Sequence, residues 1–218
     1  MSSLVKKASQ TLPVRIAVFV SGGGTNLQAL INAAENKAAQ FTIVTVIADR
    51  ISTGAEGRAR RHGIPVELAL PPKGLPRSEA RRAVSDQALA FCRKHNAEGL
   101  VLAGFLTIMN GGIINEYSGK IINVHPALLP DFGGPGMWGN HVHEAVLASG
   151  AQESGCTIHL VDTGCDTGPI LLQRKVQVEI GDTPETLANR IHAEEHVAIV
   201  EGSNLLAHRI RKGTIKAL

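Results

Sequence analysis

Three short stretches of the sequence carry side chains able to do chemistry. In Asn123-Val124-His125 an amide and an imidazole stand two residues apart, the spacing that turns both toward one side of a β-strand. An amide donor beside an imidazole can stabilise a developing oxyanion and move a proton. A hydrogen-bonded buried Asn next to a satisfied His would read the same way. Asp166, within Asp162-Thr163-Gly164-Cys165-Asp166-Thr167-Gly168-Pro169, offers a carboxylate in a glycine-flanked loop, a setting that by itself also fits an Asx-turn. Near His125 it would raise the imidazole's pKa and accept protons, so the expectation is a protonated His125 paired with Asp166. The third stretch, Ser21-Gly22-Gly23-Gly24-Thr25-Asn26, places three glycines ahead of a helix. Such a turn lets backbone approach a ligand, and the helix start offers N–H groups and a positive dipole end to a phosphate. Close packing alone can also require these glycines. The string matches neither the dinucleotide nor the P-loop fingerprint, which favours a monophosphate.

These residues need a frame that brings them to one place. Apolar runs rich in β-branched residues recur at Arg15 to Val20, Thr42 to Ala48, Pro65 to Leu68, Gly99 to Ala103 and Lys120 to Val124, and fit strands buried on both faces. Helical patterns lie between them, at about Asn26 to Lys37, Gly54 to His62 and Arg77 to His95. Two further strands, Cys156 to Asp162 and Ile170 to Glu179, join around Asp166, and a last helix starts at an N-cap Thr183 followed by Pro184. The fold class expected is α/β: an open, mostly parallel, Rossmann-like sheet with helices on both faces and an antiparallel C-terminal extension. Ligands of such sheets sit beyond the carboxyl ends of the strands, where the glycine turn and Asn123-Val124-His125 fall. One domain over 14–218 is expected, behind a flexible tail over 1–13.

Composition narrows the partners. The chain has 218 residues, 44% hydrophobic and 19% charged, enough for a core without disulfides or metal. The net charge of +3 is mild, and aromatic residues are only 3%, which suits a small anionic ligand better than nucleic acid. No apolar run approaches the ~20 residues of a membrane span, and the first residues lack a signal-peptide pattern. Three cysteines without a secretory signal indicate reduced thiols, so a cytoplasmic protein is expected.

The ordered set SGGGTNLQAL, LAGFLTIM, INVHPALLP, GCTIHLVDTGCDTGPILLQ and AEEH resembles the phosphoribosylglycinamide formyltransferases, the folate-dependent transformylases of purine synthesis, over about Arg15 to Glu201. The resemblance implies transfer of a formyl group from 10-formyltetrahydrofolate to the amine of phosphoribosylglycinamide. It implies Asn123, His125 and Asp166 as the catalytic trio and Gly24, Thr25 and Asn26 as the phosphate-binding loop. By the same likeness Leu106, Thr107, Ile108 and Met109 hold the pterin by their backbone, Asn123 faces the folate, and Glu195 contacts the ribose. Arg81, or Arg77 in competition with it, contacts the folate. His192 stands near the substrate phosphate where many relatives carry Gln. Residues 131–141 are longer and richer in glycine than the corresponding loop of many members. The implied partners are these small molecules alone, with no metal, nucleic acid or membrane, and a monomer or homodimer.

The same residues admit rival readings. His192-Ala193-Glu194-Glu195-His196 satisfies the H-x-x-E-H zinc-protease pattern, but only Glu201 offers a downstream carboxylate as third ligand, and the glycine turn would have no role. Strand alternation puts Cys156 and His159 on opposite faces, against a shared zinc, and makes His159 a site-wall or core residue. Methionyl-tRNA formyltransferase and formyltetrahydrofolate hydrolase share the Asn-x-His and Asp set, but their extra domains do not fit this length. A phosphate-binding regulator would share the glycine turn and have no use for the trio.

Overall fold

The first strand, β1 (Val14–Val20), shows how this sequence builds a two-faced sheet. Ile16, Val18 and Val20 enter one apolar cluster while Ala17 and Phe19 enter another, so alternate residues of a single strand are buried on opposite sides. The structure, a computed structural model, describes residues 12–37 and 39–214; most of the tail expected over 1–13 lies outside the described residues. Six more strands follow: β2 (Phe41–Ala48), β3 (Val66–Leu68), β4 (Gly99–Leu102), β5 (Ile121–His125), β6 (Glu153–Leu160) and β7 (Ile170–Gln177). Among the described residues six helices alternate with them: α1 (Thr25–Glu35), α2 (Gly54–Arg61), α3 (Arg77–Lys94), α4 (Gly112–Glu116), α5 (Asn140–Ser149) and α6 (Pro184–Lys212). The first cluster draws on α1, α2, α5 and α6, and the second on α3 and α4, so helices cover both faces. Each fully buried Leu, Ile or Phe at these faces contributes roughly 1.5–3 kcal/mol over exposure.

The strand order is β3-β2-β1-β4-β5-β6-β7. β1 through β5 pair in parallel, whereas β5 with β6 and β6 with β7 are antiparallel, which is the architecture expected from the sequence. The chain runs outward from β1 to β3 on one side and returns through α3 to β4 on the other. The carboxyl ends of β1 and β4 therefore flank a topological switch point, where open α/β sheets leave a crevice.

Two helices depart from the expectation. α5 has no counterpart in the sequence reading, and only its first two residues overlap the 131–141 loop; its N-cap, Gly139, has φ 57° and no capping side chain, so the usual start signal is missing. α4 is a five-residue turn set by burial of Ile113 and Ile114 rather than by periodicity. By contrast, Thr183 accepts from the Thr186 N–H while Thr186 reciprocates, the capping box expected at the start of α6.

Candidate active site

Beyond the carboxyl ends of β1, β4 and β5 lies a cleft of about 1210 Å³. The turn after β1 forms one wall. Ala55 donates its N–H to the Gly22 carbonyl at 3.1 Å, and Arg58 Nε donates to the Gly23 carbonyl at 2.9 Å. Because a trans peptide points its C=O and N–H in opposite directions, fixing both carbonyls toward α2 turns the Gly23 and Gly24 amides the other way. α1 begins with no capping side chain and no acidic residue in its first turn, which leaves its N-terminal dipole uncompensated. The three glycines have different causes. Gly24 has φ 75°, and a Cβ on it would stand 2.7 Å from Ala55, so packing requires it; Cβ atoms at Gly22 and Gly23 would meet nothing within 4 Å.

The trio expected from the sequence does converge. β5 pairs with β6 so that Asn123 lies opposite His159 and His125 opposite Thr157. Asn123 Nδ2 donates to His159 Nε2 at 3.1 Å, while His159 Nδ1 bonds the Leu160 carbonyl at 2.9 Å. That second contact fixes the tautomer: Nδ1 carries the proton, so Nε2 accepts. One amide hydrogen of Asn123 is thereby used for orientation and the other is left for a ligand. Asp166 sits at φ 58°, in the left-handed region that Asp tolerates, between the two imidazoles. Its Oδ2 is 3.6 Å from His125 Nδ1, its Oδ1 is 3.6 Å from His159 Nε2, and Gly134 N–H donates to Oδ2 at 3.0 Å.

The expected protonation of His125 is corrected here. Only 3% of His125 is exposed, and burial pushes its pKa down, outweighing the raising effects of the Asp166 carboxylate and the Phe132 carbonyl. Its Nε2 bonds the Phe132 carbonyl at 2.7 Å, so Nε2 carries a proton and Nδ1 is the nitrogen that faces Asp166. Asp166 is held below the usual carboxylate range: burial alone would raise it, but a hydrogen bond from His159, positive charge on the imidazoles and the Gly134 amide favour the anion.

The remaining expected residues line the same cleft. Gly24, Thr25, Asn26, Arg77, Arg81, Leu106, Thr107, Ile108, Met109, His192 and Glu195 all border it, and both arginines reach it. Glu195 is only 4% exposed, and burial pushes its carboxyl up to about 7 against the lowering effect of the Asn26 amide, which donates at 3.3 Å. His192 Nε2 lies 3.9 Å from the same carboxylate. The 104–110 segment is pinned at three points: Leu106 N–H donates to Ser21 Oγ at 2.8 Å, Thr107 Oγ1 to Asp49 Oδ2 at 2.7 Å, and Asn110 N–H to Ser85 Oγ at 3.1 Å. Among the described residues no group of three His, Cys, Asp or Glu is placed to hold a metal ion, and Cys156 lies in the core while His159 faces the cleft.

His159 stands buried in the site wall, in keeping with the sequence, and the β5–β6 register sets it opposite Asn123. Sequence reasoning missed two contributors. His143 of α5 borders the cleft, and burial with His192 and His125 nearby pushes it down to about 4. Trp138 belongs to the glycine-rich segment whose course the sequence did not reveal.

Comparison with known proteins bears on this geometry. Residues 14–202 match the model of the family described as formyl transferase. The chain is similar to the chloroplastic phosphoribosylglycinamide formyltransferase of Arabidopsis thaliana, with 40% identity over 86% of this chain and 63% of that protein. It also resembles the trifunctional purine biosynthetic protein adenosine-3 of Gallus gallus, at 38% identity over 91% of this chain but 19% of the relative. The chain thus spans less than two thirds of the length of these curated relatives. Among solved structures, glycinamide ribonucleotide transformylase 1 from Symbiobacterium toebii superposes with a TM-score of 0.82 at 34% identity, covering 91% of this chain and 90% of that one.

Proposed function

Since this chain belongs to the formyl transferase family, we propose that it transfers a formyl group from 10-formyltetrahydrofolate to the amine of phosphoribosylglycinamide, a step of purine synthesis. The observation that carries the reading is the meeting of Asn123, His125 and Asp166 in one cleft with an uncapped, glycine-built helix start. The free Asn123 amide hydrogen is a donor for the oxygen that becomes negative when the amine adds to the formyl carbon, and the His125 Nε2–H becomes the second by turning from the Phe132 carbonyl. Asp166, ionised and between two imidazoles, is the group that accepts the proton lost by the amine. The 3.6 Å gap to His125 closes by a small side-chain movement or one bridging water, and the proton then reaches the departing folate nitrogen.

In the same reading the amides of Gly24, Thr25 and Asn26 bind the phosphate with His192 beside them, and Glu195, with its carboxyl raised to about 7, meets the ribose. Leu106 through Met109, with Arg81 or Arg77, hold the folate; no metal takes part. The partners are these small molecules, in a cytoplasmic monomer or homodimer; among the described residues no helix is long and apolar enough to cross a membrane. The test is turnover of the two substrates together, followed by the change in formyl-folate absorbance. Deformylation that proceeds equally well without the ribonucleotide would mean a hydrolase instead.

A further inference from the structure

Among the described residues, the large apolar side chains that are exposed and border the cleft are Leu106, at 44%, and Trp138, at 52%. Trp138 is the single tryptophan of the chain. Its ring and that of His141 form a T-shaped pair, with centroids 5.2 Å apart and planes at 85°. The segment carrying it is fixed at its base to the proposed reaction centre, since the Phe132 carbonyl bonds His125 and the Gly134 amide bonds Asp166. Gly134, Gly136 and Gly139 take φ of 97°, 95° and 57°, so the path that brings the indole to the cleft rests on conformations other residues rarely adopt.

We propose that Trp138 is a specificity-determining residue of the donor site, stacking on the aryl portion of the formyl-folate. The assignment rests on the transfer reaction proposed above and adds a residue to it. Of the two substrates, the ribonucleotide is a sugar phosphate bearing a glycinamide and has no aromatic ring. The folate carries its formyl group on a nitrogen bonded directly to a benzene ring. With that nitrogen at His125 and Asn123, the ring must lie within a few ångströms of the trio, in the part of the cleft that residues 134–140 border. An indole face there favours the folate through dispersion and ring electrostatics, and disfavours donors without an aryl group.

The unmodified protein supplies one test, because its tryptophan emission comes from Trp138 alone. Titration with a non-reactive folate analogue, corrected for ligand absorbance, should quench and shift that emission saturably, and the ribonucleotide alone should not. Trp138→Ala should raise the folate KM about tenfold, the effect of roughly 1.4 kcal/mol, with the ribonucleotide KM within twofold; Trp138→Phe should recover most of the loss. Saturable folate binding by calorimetry with unchanged emission, or a rise in the ribonucleotide KM instead, overturns the assignment and leaves the reaction standing. Absence of any calorimetric folate binding overturns both.

Discussion

His125 and Asp166 show how far chemistry depends on a residue's surroundings. Asp166→Asn should lower the turnover number by roughly 10² to 10⁴, the range for a positioned acid or base, with ribonucleotide affinity within a few-fold. The same substitution removes the carboxylate that opposes the burial of His125. In an NMR titration the imidazole midpoint, already below its ordinary value, should therefore move lower still. A rise would show that Asp166 does not act on the ring. His125→Ala should cost a similar factor, and the double variant should lose far less than the product, because the two are proposed to act as a unit. Multiplicative losses would show that they work independently. The identities of the trio were legible through the motifs the sequence shares with the formyltransferases, since strand alternation alone left Asn123 and His125 equally readable as a bonded, buried pair and Asp166 as an Asx-turn. The protonation of His125 was not, because it depends on how completely residues distant in sequence enclose the ring.

At the scale of the elements, the turn between β1 and α1 separates two demands that the string of glycines conflates. Gly24→Ala should destabilise the fold through its collision with Ala55 and its left-handed backbone, lowering Tm by a few degrees and disturbing both substrates together. Gly23→Val should leave Tm nearly unchanged, since its side chain starts in open space, and should raise the ribonucleotide KM at least tenfold while the folate KM stays put. Equal changes in the two constants for Gly23→Val would make the turn purely structural. The buried strands were legible from continuous apolar runs, and α6 from Thr183 and Pro184. The start of α5 was hidden because Gly139 gives a helix no chemical signature, and with it went the placement of Trp138 and His143.

For the whole molecule, the cleft leaves opposing marks on stability. Glu195 has a folded pKa of about 7 against an ordinary 4.5, so between those values the folded chain holds a proton the unfolded chain has lost. The associated stability is fully present below about 4.5 and is gone once pH has risen through 7. His143 works in reverse: with a folded value near 4 against 6.5, its contribution is present above 6.5 and is lost as pH falls toward 4. Glu195→Gln abolishes the first effect and leaves the second. Thermal denaturation should accordingly show the variant gaining several degrees on the parent at pH 8 relative to pH 5, and an unchanged difference would mean that Glu195 is ionised in the folded chain.

The register of β5 on β6 ties Asn123 to His159 and His125 to Thr157 within a central ladder of the sheet. Thr157 in turn donates to the Ala127 carbonyl at 2.7 Å and accepts from the Leu129 amide at 3.1 Å. Residues 134–139 have no such ladder and are held at their base by contacts to His125 and Asp166. Backbone amides of 121–125 and 154–160 therefore exchange with solvent deuterium only when the sheet itself comes apart, while those of 134–139 exchange through local opening. Gentle warming is then expected to suspend turnover reversibly by releasing the segment before the ladder breaks, and activity lost only together with far-ultraviolet circular dichroism would show that the segment does not open by itself.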